Sequence, residues 1–137
     1  MIFFNSEIVF SLDCENEVSL WLSTCISGES FMEGEINYIF TNDENLLEKN
    51  VKYLRHNTLT DIIGFDYTNG KLISGDIFIS IERVIENSRE FNVSLLDELH
   101  RVMIHGVLHF CGYKDKSSEE RSLMRAKEDY YLSLRTF

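Results

Sequence analysis

The residues best equipped for chemistry lie in one run near the carboxyl end, Met103-Ile104-His105-Gly106-Val107-Leu108-His109-Phe110-Cys111-Gly112-Tyr113-Lys114-Asp115-Lys116-Ser117. His105 and His109 stand four apart, so on a helix their imidazoles share one face and can share a metal. Gly112 is placed to end that helix in a left-handed cap and turn the chain back. Asp115, six residues beyond His109, then offers a carboxylate from the returning loop. Two imidazoles and one carboxylate leave an open coordination position, which is how a catalytic metal is held. Two imidazoles buried on one helical face are also costly unless something binds them.

The same spacing narrows the chemistry. In the zinc-protease motif H-E-x-x-H a Glu follows the first His as general base, and here that place is Gly106. Peptide hydrolysis of that type therefore lacks its base, and Gly106 reads instead as a point of close approach for substrate or a neighbouring strand. The donor set suits Zn²⁺ and equally Fe²⁺, Ni²⁺ or Mn²⁺. His100 lies five before His105, off that face, and reads as a surface or supporting residue; His56 reads as a solvated loop residue. Cys14, Cys25 and Cys111 form no C-x-x-C pair and read as buried or inert thiols.

Bulk properties bound the rest. A chain of 137 residues fits one domain, 1–137, with one core. No window approaches the roughly 20 apolar residues of a membrane span, and the amino terminus lacks the basic flank and long apolar core of a signal peptide. Cytoplasmic residence without membrane contact is the expectation. The formal net charge of −10 argues against generic nucleic-acid binding, DNA included, so an RNA substrate needs a local basic groove on an acidic body.

The elements that must position the site follow from periodicity. Ile2 to Phe4 and Ile8 to Phe10 read as extended segments, and Asp13 caps a helix to Ser27. Ile36, Tyr38 and Phe40 alternate as a strand, after which Asn42 caps a helix with the stripe Leu46, Leu47, Val51 and Leu54. Two β-branched runs, Ile62 to Tyr67 and Leu72 to Ser80, flank Asn69-Gly70, a hairpin signal in which both turn residues tolerate positive φ. Helices follow at Ile81 to Glu90, from Ser94 through His109, and from Ser117 to about Leu134. In the last, Leu123, Met124, Tyr130, Tyr131 and Leu134 are expected to face the body. The order βαβαββααα predicts an α/β (α+β) single domain, with one mixed four-stranded sheet covered by about five helices.

The stretch His105-Gly106-Val107-Leu108-His109-Phe110-Cys111-Gly112-Tyr113 resembles the H-G-x-L-H-x-x-G-Y-D-H signature of the YbeY family, bacterial single-strand-specific endoribonucleases. Thr60-Asp61-Ile62-Ile63-Gly64-Phe65 is similar to the family's T-D-V-L-S-F strand, Gly75-Asp76-Ile77-Phe78-Ile79 to its G-D-I-x-I strand, and Met124 with Glu128 to its M-x-x-x-E helix. Asn50-Val51-Lys52-Tyr53 resembles its N-x-x-Y element, so the likeness covers residues 35 to 130 in order. The resemblance implies a zinc-dependent endoribonuclease acting in 16S ribosomal RNA 3′-end maturation and ribosome quality control. It implies one Zn²⁺ per chain on His105, His109 and Asp115, with single-stranded or ribosomal RNA, and small-subunit ribosomal proteins, as partners.

Two departures stand out. The third metal histidine of the signature falls on Asp115, whose added negative charge should weaken the acidification of bound water. The family's substrate-holding Arg falls on Leu54, which leaves Arg55 as its stand-in; Lys71, Lys114 and Lys116 are further candidates for phosphate contact. Two other classes stay open: a metal-stabilised ribosome assembly factor with little catalysis, and a metallohydrolase of another substrate class.

Overall fold

Ile36, Tyr38 and Phe40 are fully buried while Asn37 and Ile39 between them are half-buried, as a strand with one face on the core requires. They belong to the computed structural model's second strand; the structure describes residues 1–137. The elements run β1 (Ile2–Ser6), α1 (Glu15–Gly28), β2 (Met32–Thr41), α2 (Asp43–Leu54), β3 (Ile62–Asp66), β4 (Leu72–Ser80), α3 (Ile81–Glu90), α4 (Leu95–Phe110) and α5 (Ser118–Ser133). The expected order and the mixed four-stranded sheet are both present. The sheet runs β1-β2-β4-β3, with β1, β2 and β4 parallel and β3 antiparallel to β4.

One face of this sheet carries the core. Ile36, Tyr38 and Phe40 of β2, and Ile73, Ile77 and Ile79 of β4, pack against Val18, Leu22 and Ile26 of α1 and Met103, Ile104 and Val107 of α4. Gly106 serves the close approach expected of it, but toward the sheet. A Cβ there would stand 3.0 Å from Ile62 Cδ1 and 3.0 Å from Ile77 Cδ1. Helix α4 thus lies low on β3 and β4, and α1, α3 and α5 pack around it so that no residue from Glu98 to Phe110 is exposed.

Local details differ from the sequence reading. Ile8 to Phe10 is not a strand, because Ser6 donates its hydroxyl to the Phe10 carbonyl at 2.8 Å and the Phe10 ring packs edge-on to Phe40. Helix α1 is preceded by Cys14 in the left-handed region (φ 58), with no side-chain cap from Asp13. In the hairpin, Asn69 and Leu72 exchange two backbone hydrogen bonds of 3.0 Å, so the turn's central pair is Gly70-Lys71. Only Gly70 takes positive φ, the requirement of a type II′ turn, which places Gly first.

Two apolar stripes are also narrower than expected. On α2, Leu46 is buried but Val51 and Leu54 are exposed. The second inward residue is Asn50, whose amide donates to the Thr58 carbonyl at 2.9 Å and ties down the following loop. On α5, Met124 and Tyr131 are buried whereas Leu123, Tyr130 and Leu134 are exposed. The inward stripe at i, i+4 and i+7 is Met124, Glu128 and Tyr131, so one buried position holds a carboxylate.

Of the cysteines, Cys14 is free and exposed rather than buried, and burial pushes the thiols of Cys25 and Cys111 up to about 12.

His100 is not a surface residue. It is 4% exposed, packed beside the rings of Trp21 and Phe137, with Arg135 Nη1 at 2.7 Å from its Nδ1. Arg can only donate, so the His100 proton sits on the buried Nε2. Burial, and then the Arg135 charge, lower its pKa to about 4. Between that value and the unfolded one the unfolded chain binds the extra proton, so stability falls as pH drops through this window. The expected loss from this group is about 2 kcal/mol between pH 7 and pH 5. Urea melts at the two pH values measure it, and His100→Gln should show a correspondingly smaller difference; equal pH dependence in both proteins would refute the assignment.

Candidate metal centre

The helix that carries the two histidines is fixed at both ends by its own sequence. Ser94 accepts from the Asp97 amide at 3.0 Å and starts α4. At its far end Gly112 adopts φ 102, the Gly112 amide donates to the His109 carbonyl at 3.0 Å, and the Tyr113 amide donates to the Leu108 carbonyl at 3.1 Å. This is a Schellman cap, and it aims the next residues back across the last turn. Ser117 and Glu120 then form a capping box that opens α5. The loop bearing Asp115 is therefore pinned between two capped helices.

His105, His109 and Asp115 converge. Their Nε2 atoms are 2.9 Å apart, and Asp115 Oδ2 lies 3.2 Å from the first and 3.3 Å from the second. A tetrahedral ion with ligands at about 2.0–2.2 Å would hold its donors about 3.3–3.6 Å apart, so the triangle is nearly that of a closed coordination face.

The outer ring nitrogens decide what meets at its centre. His105 Nδ1 is 2.7 Å from Glu128 Oε2, and His109 Nδ1 is 2.9 Å from the Tyr113 carbonyl oxygen. A carboxylate and a carbonyl only accept, so both Nδ1 atoms carry protons and, in the neutral rings, both Nε2 atoms present lone pairs. With neutral rings three acceptor atoms thus face one another, a mutual repulsion that a divalent cation between them relieves. The donor set and its tautomers fit a divalent cation.

Supporting residues surround this triangle. Glu128 also accepts from Arg101 Nη1 at 2.9 Å, and Arg101 reaches Asp129 at 2.7 Å, which locks α5 beside α4. Burial lowers and the Glu128 hydrogen bond and charge raise the His105 pKa, the second effect winning. The hydroxyl of Tyr113 donates to Glu29 at 2.5 Å; Tyr131 and Lys127 also donate to Glu29. Glu29 is thus the fixed point from which Tyr113 places its carbonyl against His109. Burial raises the carboxyl of half-buried Asp61, against the pull of His105.

Two hollows open on the triangle. One, of about 400 Å³, lies toward α5 and the other, of about 350 Å³, toward the end of α2 and β3. His105, Asp115, Asp61 and Ile62 border both.

The other sequence candidates fall farther out. Arg55 caps α2 in the left-handed region (φ 57), exposed, and its neighbour Leu54 lines the smaller hollow in its place. Lys71 lies over the Phe31 ring at 4.2 Å, and Lys114 and Lys116 are exposed on either side of Asp115. None of these four borders either hollow. His56 is exposed in the loop after α2, as expected. The sequence reading assigned no role to Glu128, Asp61 or Glu29. For Glu128 a signal existed: a carboxylate in register with Met124 and Tyr131, where an apolar residue belongs.

Fold and site together define an α/β domain with a two-histidine, one-carboxylate centre at the carboxyl end of a core helix. The chain belongs to the YbeY family, whose model, described as endoribonuclease YbeY, matches residues 4–135. It is 58% identical over 134 residues to a Flavobacterium johnsoniae protein named endoribonuclease YbeY, covering 98% of this chain and 96% of that one. A protein of the same name from Christiangramia forsetii is 48% identical, covering 96% and 92% of the two chains. The solution structure of a Thermotoga maritima protein has the same fold, with a TM-score of 0.72 at 28% identity over 97% of this chain and 87% of that one.

Proposed function

We propose that this chain is a single-strand-specific endoribonuclease, one hydrolase domain over residues 1–137, holding one zinc ion on His105, His109 and Asp115. The observation that carries the reading is the meeting of three lone-pair donors, two of them set in that tautomer by Glu128 and the Tyr113 carbonyl. When bound, such an ion supplies a Lewis acid and lowers the pKa of water at its open position towards about 7. The anionic third donor, Asp115, moderates that effect relative to a third imidazole.

The chain's own residues do the rest. Glu128 holds the His105 ring and Tyr113 holds the His109 ring, so neither must reorganise when a phosphodiester arrives. Ile62, shared by both hollows, keeps one wall of the site apolar. Asp61 faces both hollows alongside His105, a carboxylate free of the three-donor set. Arg55 serves as an outer phosphate contact beyond Leu54. Ribosomal RNA maturation in the cytoplasm is the setting proposed from the family; no helix is long and apolar enough to cross a membrane.

The test is cleavage of a short single-stranded RNA by zinc-loaded protein. His105→Ala should lose at least about a hundredfold in rate, while its circular dichroism spectrum stays that of the parent. Undiminished cleavage by that variant would place the chemistry elsewhere.

The net charge of −10 favours a second reading, a factor that binds basic small-subunit ribosomal proteins and cleaves little. It predicts salt-sensitive binding to such proteins that survives in His105→Ala, with no RNA turnover in either protein.

A further inference from the structure

The two hollows that meet at His105 and Asp115 differ in charge. The one toward α2 is lined by Asp61, Asp66 and Asp115 and by no Lys or Arg. The one toward α5 sets Arg101, Arg121 and Arg125 against Asp61, Glu98, Asp115 and Glu128, so its carboxylates are nearly balanced by guanidinium groups. On a body of net charge −10, the second approach is the one whose walls offer a phosphodiester guanidinium partners.

The three cations are not equivalent. Arg101 is committed to Glu128 and Asp129. Arg121 is exposed and donates to the Lys116 carbonyl at 2.5 Å, which orients its guanidinium without neutralising it. Arg125 is exposed and makes no hydrogen bond or ion pair. One turn apart on α5, the two share a face, with Cβ atoms about 5–6 Å from each other. The same pair borders a shallow groove that continues over α5 past Ser118 and Ser122. Exposed arginines on a helix are ordinarily solvated, but a pair that lines both the wall beside the metal donors and the groove leading away forms a continuous path.

We infer that Arg121 and Arg125 are the substrate-positioning residues of this chain, gripping backbone phosphates of a single-stranded RNA that enters over α5. The inference rests on the RNA-cleaving reading above. Neither arginine touches the three donors, so both act on binding and leave the bond-breaking step unchanged. Arg presents a planar fork to phosphate oxygens, and each contact releases counterions from the strand.

Equilibrium binding and cleavage of an end-labelled single-stranded RNA by full-length, zinc-loaded protein test it across a salt series. Arg121→Gln/Arg125→Gln should raise KM and Kd about tenfold with kcat within about twofold, and lower the slope of log K against log salt by about 1.4. Arg121→Lys/Arg125→Lys should keep the slope, and Arg89→Gln, on α3 and paired with Glu86, should match the parent. Metal content and melting temperature report that the Gln variant is folded and loaded. A parent that cleaves while the Gln pair keeps the parental slope and KM overturns the path over α5 alone. A parent that neither binds nor cleaves overturns the endoribonuclease reading and this inference together.

Discussion

Asp115→Ala is expected to lose its metal as fully as His109→Ala, with residual zinc after gel filtration at about a tenth of the parent or less. Each variant leaves two donors where three converged within 3.3 Å, and two monodentate ligands do not hold zinc against dilution. The comparison is clean because the polar partners of the Asp115 carboxylate are the two imidazoles, and its side chain is 41% exposed. The metal-free fold should therefore change by no more than about 0.5 kcal/mol. Asp115→His places at this position the imidazole of the family signature and should retain stoichiometric metal, whereas Asp115→Asn, neutral and weakly donating, should not. Elemental analysis of the purified proteins decides. Stoichiometric zinc in Asp115→Ala would take the carboxylate out of the coordination set and leave only the two rings.

The second large effect belongs to a residue that touches no metal. Glu128→Ala should weaken zinc binding about 10–100-fold, because nothing then holds the His105 proton on Nδ1 or fixes the ring. The loss extends to stability, since half-buried Arg101 keeps only Asp129 as partner. About 2–3 kcal/mol is expected, below the full cost of orphaning a buried charge. Glu128→Gln separates the two roles. Its amide oxygen can still accept from Nδ1, so orientation is partly kept while the negative charge facing both His105 and Arg101 is lost. Zinc affinity in Gln should therefore fall between parent and Ala, in competition with a fluorescent chelator. Parental zinc affinity in Glu128→Ala, with only a lowered melting temperature, would make Glu128 a purely structural brace.

The pairing that gives Glu128 this role shows where sequence reasoning ran out. Within α4 every relevant relation is local: His105 and His109 share a face because of the helical repeat, and Gly112 closes the helix because it can adopt φ 102. Even the Asp115 return follows from a cap and a short loop. The misread elements are those where a local preference met a partner from far along the chain. Asp13 and Asn69 had the right types for a cap and a turn, and lost to Cys14 and Gly70-Lys71. Apolar residues such as Val51 and Leu123 had a plausible stripe but no neighbouring element to bury them.

The chain's own periodicities and caps thus determined nine elements in order, a helix-borne pair of imidazoles, and the carboxylate that returns to them. The tertiary structure alone decided which nitrogen of each ring faces inward, and which hollow beside the site is bordered by arginines. Those depend on Glu29 reaching Tyr113 and on α5 lying against α4 so that Glu128, Arg121 and Arg125 arrive beside His105. Short-range rules fix angles around one helix, whereas the register between two helices comes from burying Met124 and Tyr131 against the core, information spread over the whole chain.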